Sequence, residues 1–506
     1  MTASVTNIDE SRPPVVDTLK VLDKVSGSVI EELPVNSPER VTEMVENARR
    51  AGQDWSQLSV KERVKYIKRA RNEVAKGRTE IFSLLERETG KARADVVGEL
   101  LSVCMDIGHI ASKAPGWLKT RKVGTAPLFG KKGRIVYKPH GVVGVISPWN
   151  APLTLSLGDA VPALLAGNSV VIKPSELTPL AVKRTIELMN RVLPPSVLQV
   201  AIGEGAAGQA LVDHVDMICV TGSPQTGRRV MARASQRLTP VLLELGGKDP
   251  MIVLEDADLD RAAAGATFGS LLMGGQVCMS VERVYVEAAV AAEFIDKVVE
   301  NFREIRVGAN GIDAEIDYGP FTSANQVNIV ESQLKDALEK GATVLIGGKR
   351  TGEGAGVYFA PTVVTNVDHS MEIMKEETFG PVLAIQVVKD SHEAIELAND
   401  CQYGLNSSVW TRNIARGIEV AKMLEVGNTC VNECVLSAGV QNLNFGGVKA
   451  SGLGFRHGGP EGLRQFAVPQ SLLIETRRRK TEFPWFPYAP KQAGHLDKLI
   501  GLMYGR

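Results

Sequence analysis

Apolar residues recur at spacings of three and four through Val41, Val45, Ala48 and Trp55, and again through Val64, Ile67, Ile81, Leu84 and Leu85. This is the period of helices with one buried face, and it predicts a helical block over residues 38–117. Ser37 stands where a helix cap is wanted, and Pro38 suits the first turn. Beyond residue 118 the pattern changes. Two extended stretches, 119–123 and 133–137, flank a turn containing Gly and Pro and predict a projecting hairpin.

Short apolar runs bounded by turn residues follow at 142–146, 169–172, 198–202, 217–220 and 241–245. Helical windows lie between them, as at 177–192 and 227–238. A second alternating set has runs at 283–287, 343–346, 382–388, 408–411 and 429–432, with helices at 289–303, 324–340, 391–399 and 413–425. Strands alternating with helices predict an α/β chain with two doubly wound parallel-sheet domains. One further strand is expected at 471–476.

Composition narrows the classes. The 506 residues are 44% apolar and 23% charged, with 58 basic and 58 acidic side chains. Such a chain can bury two or three cores, and its balanced charge offers no field for nucleic acid. No apolar run reaches 18 residues, and the N-terminal stretch is polar, so a soluble cytoplasmic protein is expected. Six cysteines are too few for a disulfide framework, and Cys430 and Cys434 have no partners that would complete a metal site.

Several loops carry candidate chemistry. Gly274-Gly275-Gln276-Val277-Cys278 puts a thiol on a glycine-flanked bend, where it is either a nucleophile or a structural cysteine. Pro148-Trp149-Asn150 follows a strand, and its amide can donate to an oxyanion or simply shape a turn. Lys173-Pro174-Ser175-Glu176 offers a cation and a carboxylate, and Glu244 at a strand end can be a general base. Two glycine patterns compete for a dinucleotide phosphate. Gly203–Gly208 fits G-x-G-x-x-G but lacks the later acidic residue, while Gly222, Ser223 and Gly227 open a helix after a strand.

The order PWN, KPSE, VTGS with a later Gly, LELGGK, GQVC, ETFGP and NFGG resembles the aldehyde dehydrogenase superfamily, over about residues 20–476. The runs GVVGVISPWNAPLTLSLGDAVPALLAGNSVVIKPSE and GFRHGGPEGLRQF resemble its bacterial succinate-semialdehyde-dehydrogenase-type branch. The resemblance implies Cys278 as nucleophile, Asn150 and the Cys278 backbone N–H as oxyanion donors, and Glu244 as the base that activates water. It implies Ile146, Trp149, Lys173, Glu176, Gly222, Ser223, Gly227, Leu245, Glu377 and Phe379 as the residues that hold NAD(P), with Gly203–Gly208 only near the adenine end. Glu176 favours NAD, with NADP as the second choice.

The resemblance also implies domains: 1–119 with 139–245 for the dinucleotide, 246–450 for catalysis, and 120–138 with 464–480 for assembly as a homodimer or homotetramer. Arginines that bind a substrate carboxylate in well-known succinate-semialdehyde enzymes are replaced here by Gly158 and Leu272. With Leu155, Leu157, Met273, Val277 and Met279 nearby, an apolar aliphatic or aromatic aldehyde is expected, although Arg456 and His457 are cations that could reach in. Other readings are succinate-semialdehyde oxidation, CoA acylation, which Glu244 argues against, and a non-catalytic protein of the same fold. No G-x-S-x-G is present for a serine hydrolase. With no cysteine beside it, Cys278 is expected to oxidise irreversibly when NAD is absent. The tail 481–506, after Arg477-Arg478-Arg479-Lys480, has aromatic residues and an amphipathic stretch through Leu496, Leu499, Ile500 and Met503. It reads either as packing against protein or as peripheral contact with a membrane surface.

Overall fold

The computed structural model describes residues 18–505, except 127, 129, 312, 313, 353, 478, 479 and 483. Arg478, Arg479 and Phe483 of the tail motif, and the polar N-terminal stretch, therefore lie outside the described residues. The chain forms two compact units. One takes the residues up to Leu118 together with Lys138–Val468, and the other takes Lys119–Tyr137 together with the residues from Pro469 onward.

In the larger unit the helical block resolves into four helices, Pro38–Gln57, Val60–Lys76, Arg78–Thr89 and Arg93–Trp117. Ser37 caps the first by accepting from the Arg40 N–H, and Ser59 with Glu62 forms a reciprocal capping box on the second. The first sheet has the order Gly452–Leu453, Val241–Glu244, Met217–Thr221, Val142–Ile146, Ser169–Lys173, Leu198–Val200. All its neighbours are parallel except the short strand Gly452–Leu453. In chain order its five parallel strands run 3-2-1-4-5. The direction of winding reverses between Val142–Ile146 and Met217–Thr221, which opens a crevice at their C-terminal ends.

The second sheet runs Thr343–Ile346, Thr362–Thr365, Val382–Val388, Val281–Glu287, Asp249–Val253, Ser408–Trp410, Cys430–Val431. It is parallel apart from its antiparallel edge strand Thr343–Ile346. Two cores cover its faces, one around Phe359, Tyr285 and Val409, the other around Phe294, Phe302 and Trp410. The expected α/β class and doubly wound sheets are present.

Periodicity misses some elements for identifiable reasons. Helix Pro152–Ala166 is buried at twelve of its fifteen positions, so it shows no polar face to set a period. Strand Asp249–Val253 opens on Asp and Pro just after a glycine pair, turn signals that mask its apolar run. Strands Thr18–Leu22, Val29–Pro34 and Thr362–Thr365 and helices Gly205–His214 and Leu259–Leu271 are likewise additions to the sequence reading. The helix expected at 227–238 is Pro224–Ser235. Its start is moved forward by Ser223 as cap and Pro224 in the first turn.

The smaller unit carries a three-stranded sheet in the order Ala467–Glu475, Lys131–Pro139, Arg121–Val123, followed by helix Gln492–Tyr504. Lys131 bridges Glu475 and Glu482, tying the chain after the last strand back to the hairpin.

One interaction sets the direction of Pro152–Ala166. The Glu99 carboxylate accepts from Leu153 N at 2.8 Å and Thr154 N at 3.2 Å, while its other oxygen takes Lys91 Nζ at 2.7 Å. The Lys91–Glu99 pair and the bond to Leu153 are buried, and the bond to Thr154 is partly so. Glu99→Ala strips the helix N-terminus of its acceptor and leaves Lys91 as an unpaired buried charge. We expect a loss of about 3–5 kcal/mol in chemical denaturation; a loss below about 1 kcal/mol contradicts this account.

Candidate active site

The crevice at the switch point gathers the candidate loops. Ile146 ends its strand with Lys173 and Val220 as register neighbours, and Ser147 N donates to the Lys173 carbonyl. The turn then carries Trp149, whose ring meets Phe379 edge-on at 5.4 Å between centroids. Asn150 is buried, and its Nδ2 donates to the Gln276 carbonyl at 2.9 Å. That uses one of two amide hydrogens and fixes the side chain beside the Cys278 loop, leaving the second hydrogen for another acceptor.

The Cys278 loop is shaped by backbone conformation. Met273, Gly274 and Gly275 all take left-handed φ values, of 53°, 67° and 73°. A side chain on Gly275 would fall on the Gly380 carbonyl, and one on Gly247 would fall on the carbonyl of Cys278 itself. Gln276 pins the bend by donating to the Met273 carbonyl and accepting from Thr322 N at 3.0 Å. Cys278 as a whole residue is partly exposed, while its thiol group is desolvated. Burial pushes it up to about 12, helped by the nearby Glu377, Asp249 and Glu244 carboxylates and opposed by Arg456. The resting group is therefore a thiol.

Glu244 ends strand Val241–Glu244, with Thr221 and Gly452 as register neighbours. Its backbone carbonyl accepts from Gly222 N, but neither carboxylate oxygen has a hydrogen-bond partner among the described residues. Burial raises it to about 8. Next to it, Leu245 fills the space over Gly227, where any side chain would collide with it. Gly222 has open space on its Cβ side, and Ser223 caps Pro224–Ser235 by accepting from Thr226 N. This open glycine before a helix N-terminus is a cradle of the right chemistry for a phosphate. On the neighbouring strand end, Lys173 Nζ lies 3.4 Å from Glu176, which is half exposed, and 3.2 Å from the Pro174 carbonyl. Gly208, from the competing glycine pattern, packs towards Lys173 and Ile146.

Glu377 lies against Gly246 and accepts from Gly247 N at 3.0 Å; burial raises it to about 8. Its loop is held by two residues that sequence reasoning passed over. Glu282 accepts from Thr378 N and Phe379 N, both at 2.8 Å, and from Lys248 Nζ at 2.6 Å. Lys248 also donates to Thr378 Oγ1. Glu282 reads in sequence as an ordinary polar residue of a strand. Its one signal is that it stands with Arg283 and Glu287 as charged residues in a strand buried at every position.

The structure corrects one further expectation. Arg456 grips Asp159 through Nε at 2.8 Å and Nη2 at 2.6 Å and also bonds Thr221, all in a buried setting. Burial lowers His457 to about 4, so it is neutral. Neither is a free cation for a substrate carboxylate.

With thiol, amide, carboxylate and phosphate cradle converging on one crevice, comparison with known proteins gives the class. The model for the aldehyde dehydrogenase family matches residues 12–472. The chain is 39% identical over 493 residues to 4,4'-diapolycopene aldehyde oxidase of a Methylomonas species, covering 96% of this chain and 92% of that protein. It is also 39% identical over 458 residues to "Putative succinate-semialdehyde dehydrogenase (NADP(+)) 2" of Mycobacterium ulcerans, covering 90% of this chain and 88% of that one. The solved betaine aldehyde dehydrogenase of Staphylococcus aureus in complex with NAD+ superposes with a TM-score of 0.87 at 32% identity, over 93% of this chain and 94% of that one. The chain belongs to the aldehyde dehydrogenase family and is an aldehyde dehydrogenase.

The two raised carboxyls have a consequence for stability. A carboxyl whose folded value of about 8 lies above the unfolded value of 4.5 stabilises fully below pH 4.5, and that stability is lost as pH rises through 8. Stability should therefore fall from pH 5 to pH 8.5, by roughly 1.4 kcal/mol per pH unit for each such group at most. Glu377→Gln should show a shallower fall in denaturation midpoint over that range; an equally steep fall contradicts the assignment.

Proposed function

We propose that this enzyme oxidises an apolar aldehyde to its carboxylic acid through a covalent adduct on Cys278. The observation that carries the reading is the convergence of Cys278, Asn150 and Glu244 on one crevice. Cys278 Sγ bonds to the aldehyde carbon, and its proton passes to a base. Asn150 Nδ2 and the Cys278 N–H donate to the oxygen that becomes negative. Fixed donors of this kind contribute about 2.7–4 kcal/mol each. Loss of hydride then gives a thioester on Cys278. Glu244 accepts the proton of the water that hydrolyses it, which requires its carboxylate form and hence favours pH above about 8.

The residues fit a dicarrier of phosphate and ribose. Gly222, Ser223 and Gly227 would hold a pyrophosphate, Lys173 and Glu176 one ribose, Glu377 the other, and Ile146, Trp149, Leu245 and Phe379 its rings. NAD(P), when bound there, supplies the hydride acceptor. The Glu176 carboxylate accepts from a ribose 2′-hydroxyl and repels a 2′-phosphate, which favours NAD over NADP. In this reading residues 1–119 with 139–245 carry the dinucleotide, 246–450 carry the chemistry, and 120–138 with 464–480 join subunits into a dimer or tetramer.

The apolar substrate is supported by a shallow cleft beside helix Pro152–Ala166, where Val103, Ile107, Leu157 and Val161 form an apolar wall around Gly158 and Asp106, Thr154, Gln441 and His457 supply the polar part of the lining. The relative named for 4,4'-diapolycopene aldehyde favours the same class. The engagement of Arg456 with Asp159 argues against succinic semialdehyde, whose carboxylate needs a free cation.

A second surface follows from the tail. Trp485, Phe486 and Tyr488 are exposed, and in helix Gln492–Tyr504 only Gln492 is buried. With Arg477, Lys480, Lys491 and Lys498 alongside, this composition supports contact with an anionic membrane surface, where an apolar aldehyde would partition.

Reduction of NAD followed by absorbance should give a kcat/KM at least tenfold higher for decanal or benzaldehyde than for succinic semialdehyde, and higher for NAD than for NADP. Cys278→Ser should lose several orders of magnitude in kcat. A clear preference for the semialdehyde overturns the substrate assignment. Removing residues 481–506 should abolish co-sedimentation with vesicles containing phosphatidylglycerol while sparing turnover of a short aldehyde; unchanged co-sedimentation removes the membrane contact.

A further inference from the structure

Glu244 is an unusual base. It is buried, and among the described residues nothing donates a hydrogen bond to either oxygen. A lone carboxylate in such a place prefers to be neutral. Some other group must therefore supply the attraction that makes it usable as a base.

The groups facing it come from four elements: Arg456 from the short strand Arg456–His457, Asp159 from helix Pro152–Ala166, Cys219 from strand Met217–Thr221, and Cys278 from the loop opposite. Both thiols are pushed up by burial and carry no charge at neutral pH. His457, next to Arg456, is neutral as well. The charges left are one cation, Arg456, and one anion, Asp159. Arg456 is fixed to Asp159 by two parallel hydrogen bonds of 2.8 and 2.6 Å. The same Nη2 reaches Thr221 Oγ1, and Thr221 is the register neighbour of Glu244 across the sheet. Adjacent strands lie about 4.8 Å apart. The guanidinium is thus clamped one strand away from Glu244 by an acid and a hydroxyl and makes no hydrogen bond with Glu244 itself.

We propose that Arg456, clamped by Asp159 and Thr221, is a positioning residue whose fixed charge favours the carboxylate form of Glu244 that activates water. This rests on the reading of Glu244 as that base. In the step concerned, the water oxygen bonds to the acyl carbon, its proton goes to Glu244, the carbon–sulfur bond breaks, and the electron pair leaves on Cys278 as thiolate. Arg456 acts by attraction at a distance, and Asp159 has two opposed effects. It orients the guanidinium, and its own negative charge works against ionisation of Glu244. A buried ion pair in which only one member favours the base predicts opposite responses to two substitutions.

The test uses the full-length enzyme and 4-nitrophenyl acetate, which acylates Cys278 without a cofactor. The burst of nitrophenolate reads acylation, and the steady-state rate reads thioester hydrolysis. Asp159→Asn keeps an oxygen for Arg456 but removes the opposing charge. The acid limb of its steady-state pH profile should move to lower pH, raising the rate roughly fivefold one unit below the wild-type midpoint for a one-unit shift. The neutral pair Asp159→Asn with Arg456→Gln leaves no buried unpaired charge, so it avoids the misfolding risk of removing Arg456 alone. Its limb should move to higher pH, with the burst amplitude retained. Unmoved midpoints, or movement of both in the same direction, overturn the proposal. Glu244→Gln separates the two layers: if it leaves the steady-state rate intact, the base assignment itself fails. If it abolishes that rate while both Asp159 variants keep the wild-type midpoint, only the role of Arg456 fails.

Discussion

The site depends on backbones that approach so closely that no side chain fits between them. Gly275 lies against the Gly380 carbonyl, and Gly247 lies against the carbonyl of Cys278. These two contacts bring three separate loops to one point: the thiol bend, the glycine pair after Glu244, and the turn holding Glu377 and Phe379. A residue with a Cβ at either place would push the loops apart by more than a hydrogen bond can stretch. The left-handed φ of Met273 costs of order 1–3 kcal/mol in a residue that is not glycine. It is tolerated because Gln276 and Thr322 fix the bend from both sides. Local strain and close approach are thus two sides of one arrangement that aims Cys278 into the crevice.

Close approach has an electrostatic result. Burial raises the proton affinity of Glu244, Glu377, Asp249 and the Cys278 thiol; the three carboxyls add to the rise at Cys278, and Glu377 adds to that at Asp249. In such a place proton transfer between neighbours is easy and net charge is costly. The resting state is then a neutral thiol beside largely neutral carboxyls.

How much of this could be read from sequence follows from what each feature depends on. The two alternating sets of strands and helices were legible because buried parallel strands read as short apolar runs. Helix Pro152–Ala166 was not, because burial on all sides erases the period that marks a helix. Cys278, Asn150 and Glu244 were legible as candidates because each follows a strand or a glycine bend, where side chains face a crevice. Their convergence is a fact of the fold, since Asn150 and Gln276 are 126 positions apart. Glu282 and Lys248 were illegible for a deeper reason. Their work is to hold backbone N–H groups and a hydroxyl of a distant loop, and nothing near them in sequence hints at that loop.

Arg456 shows the limit most sharply. In sequence it stands beside a histidine in a glycine-rich run, and a cation there is easily taken for a substrate ligand. The fold instead turns it inward to an acid 297 positions away. A buried guanidinium held bidentately has spent the geometry that makes arginine a good carboxylate receptor. Its charge is not spent, because the field of a fixed ion extends past its hydrogen-bond partners in a medium that screens poorly. The carboxyl one strand away feels that field without touching it. With Glu244 as the proposed base, the same Arg456–Asp159 pair that removes a substrate anchor places a cation one strand from it. On the proposed reading, substrate preference and the ionisation of the base are linked through a single ion pair.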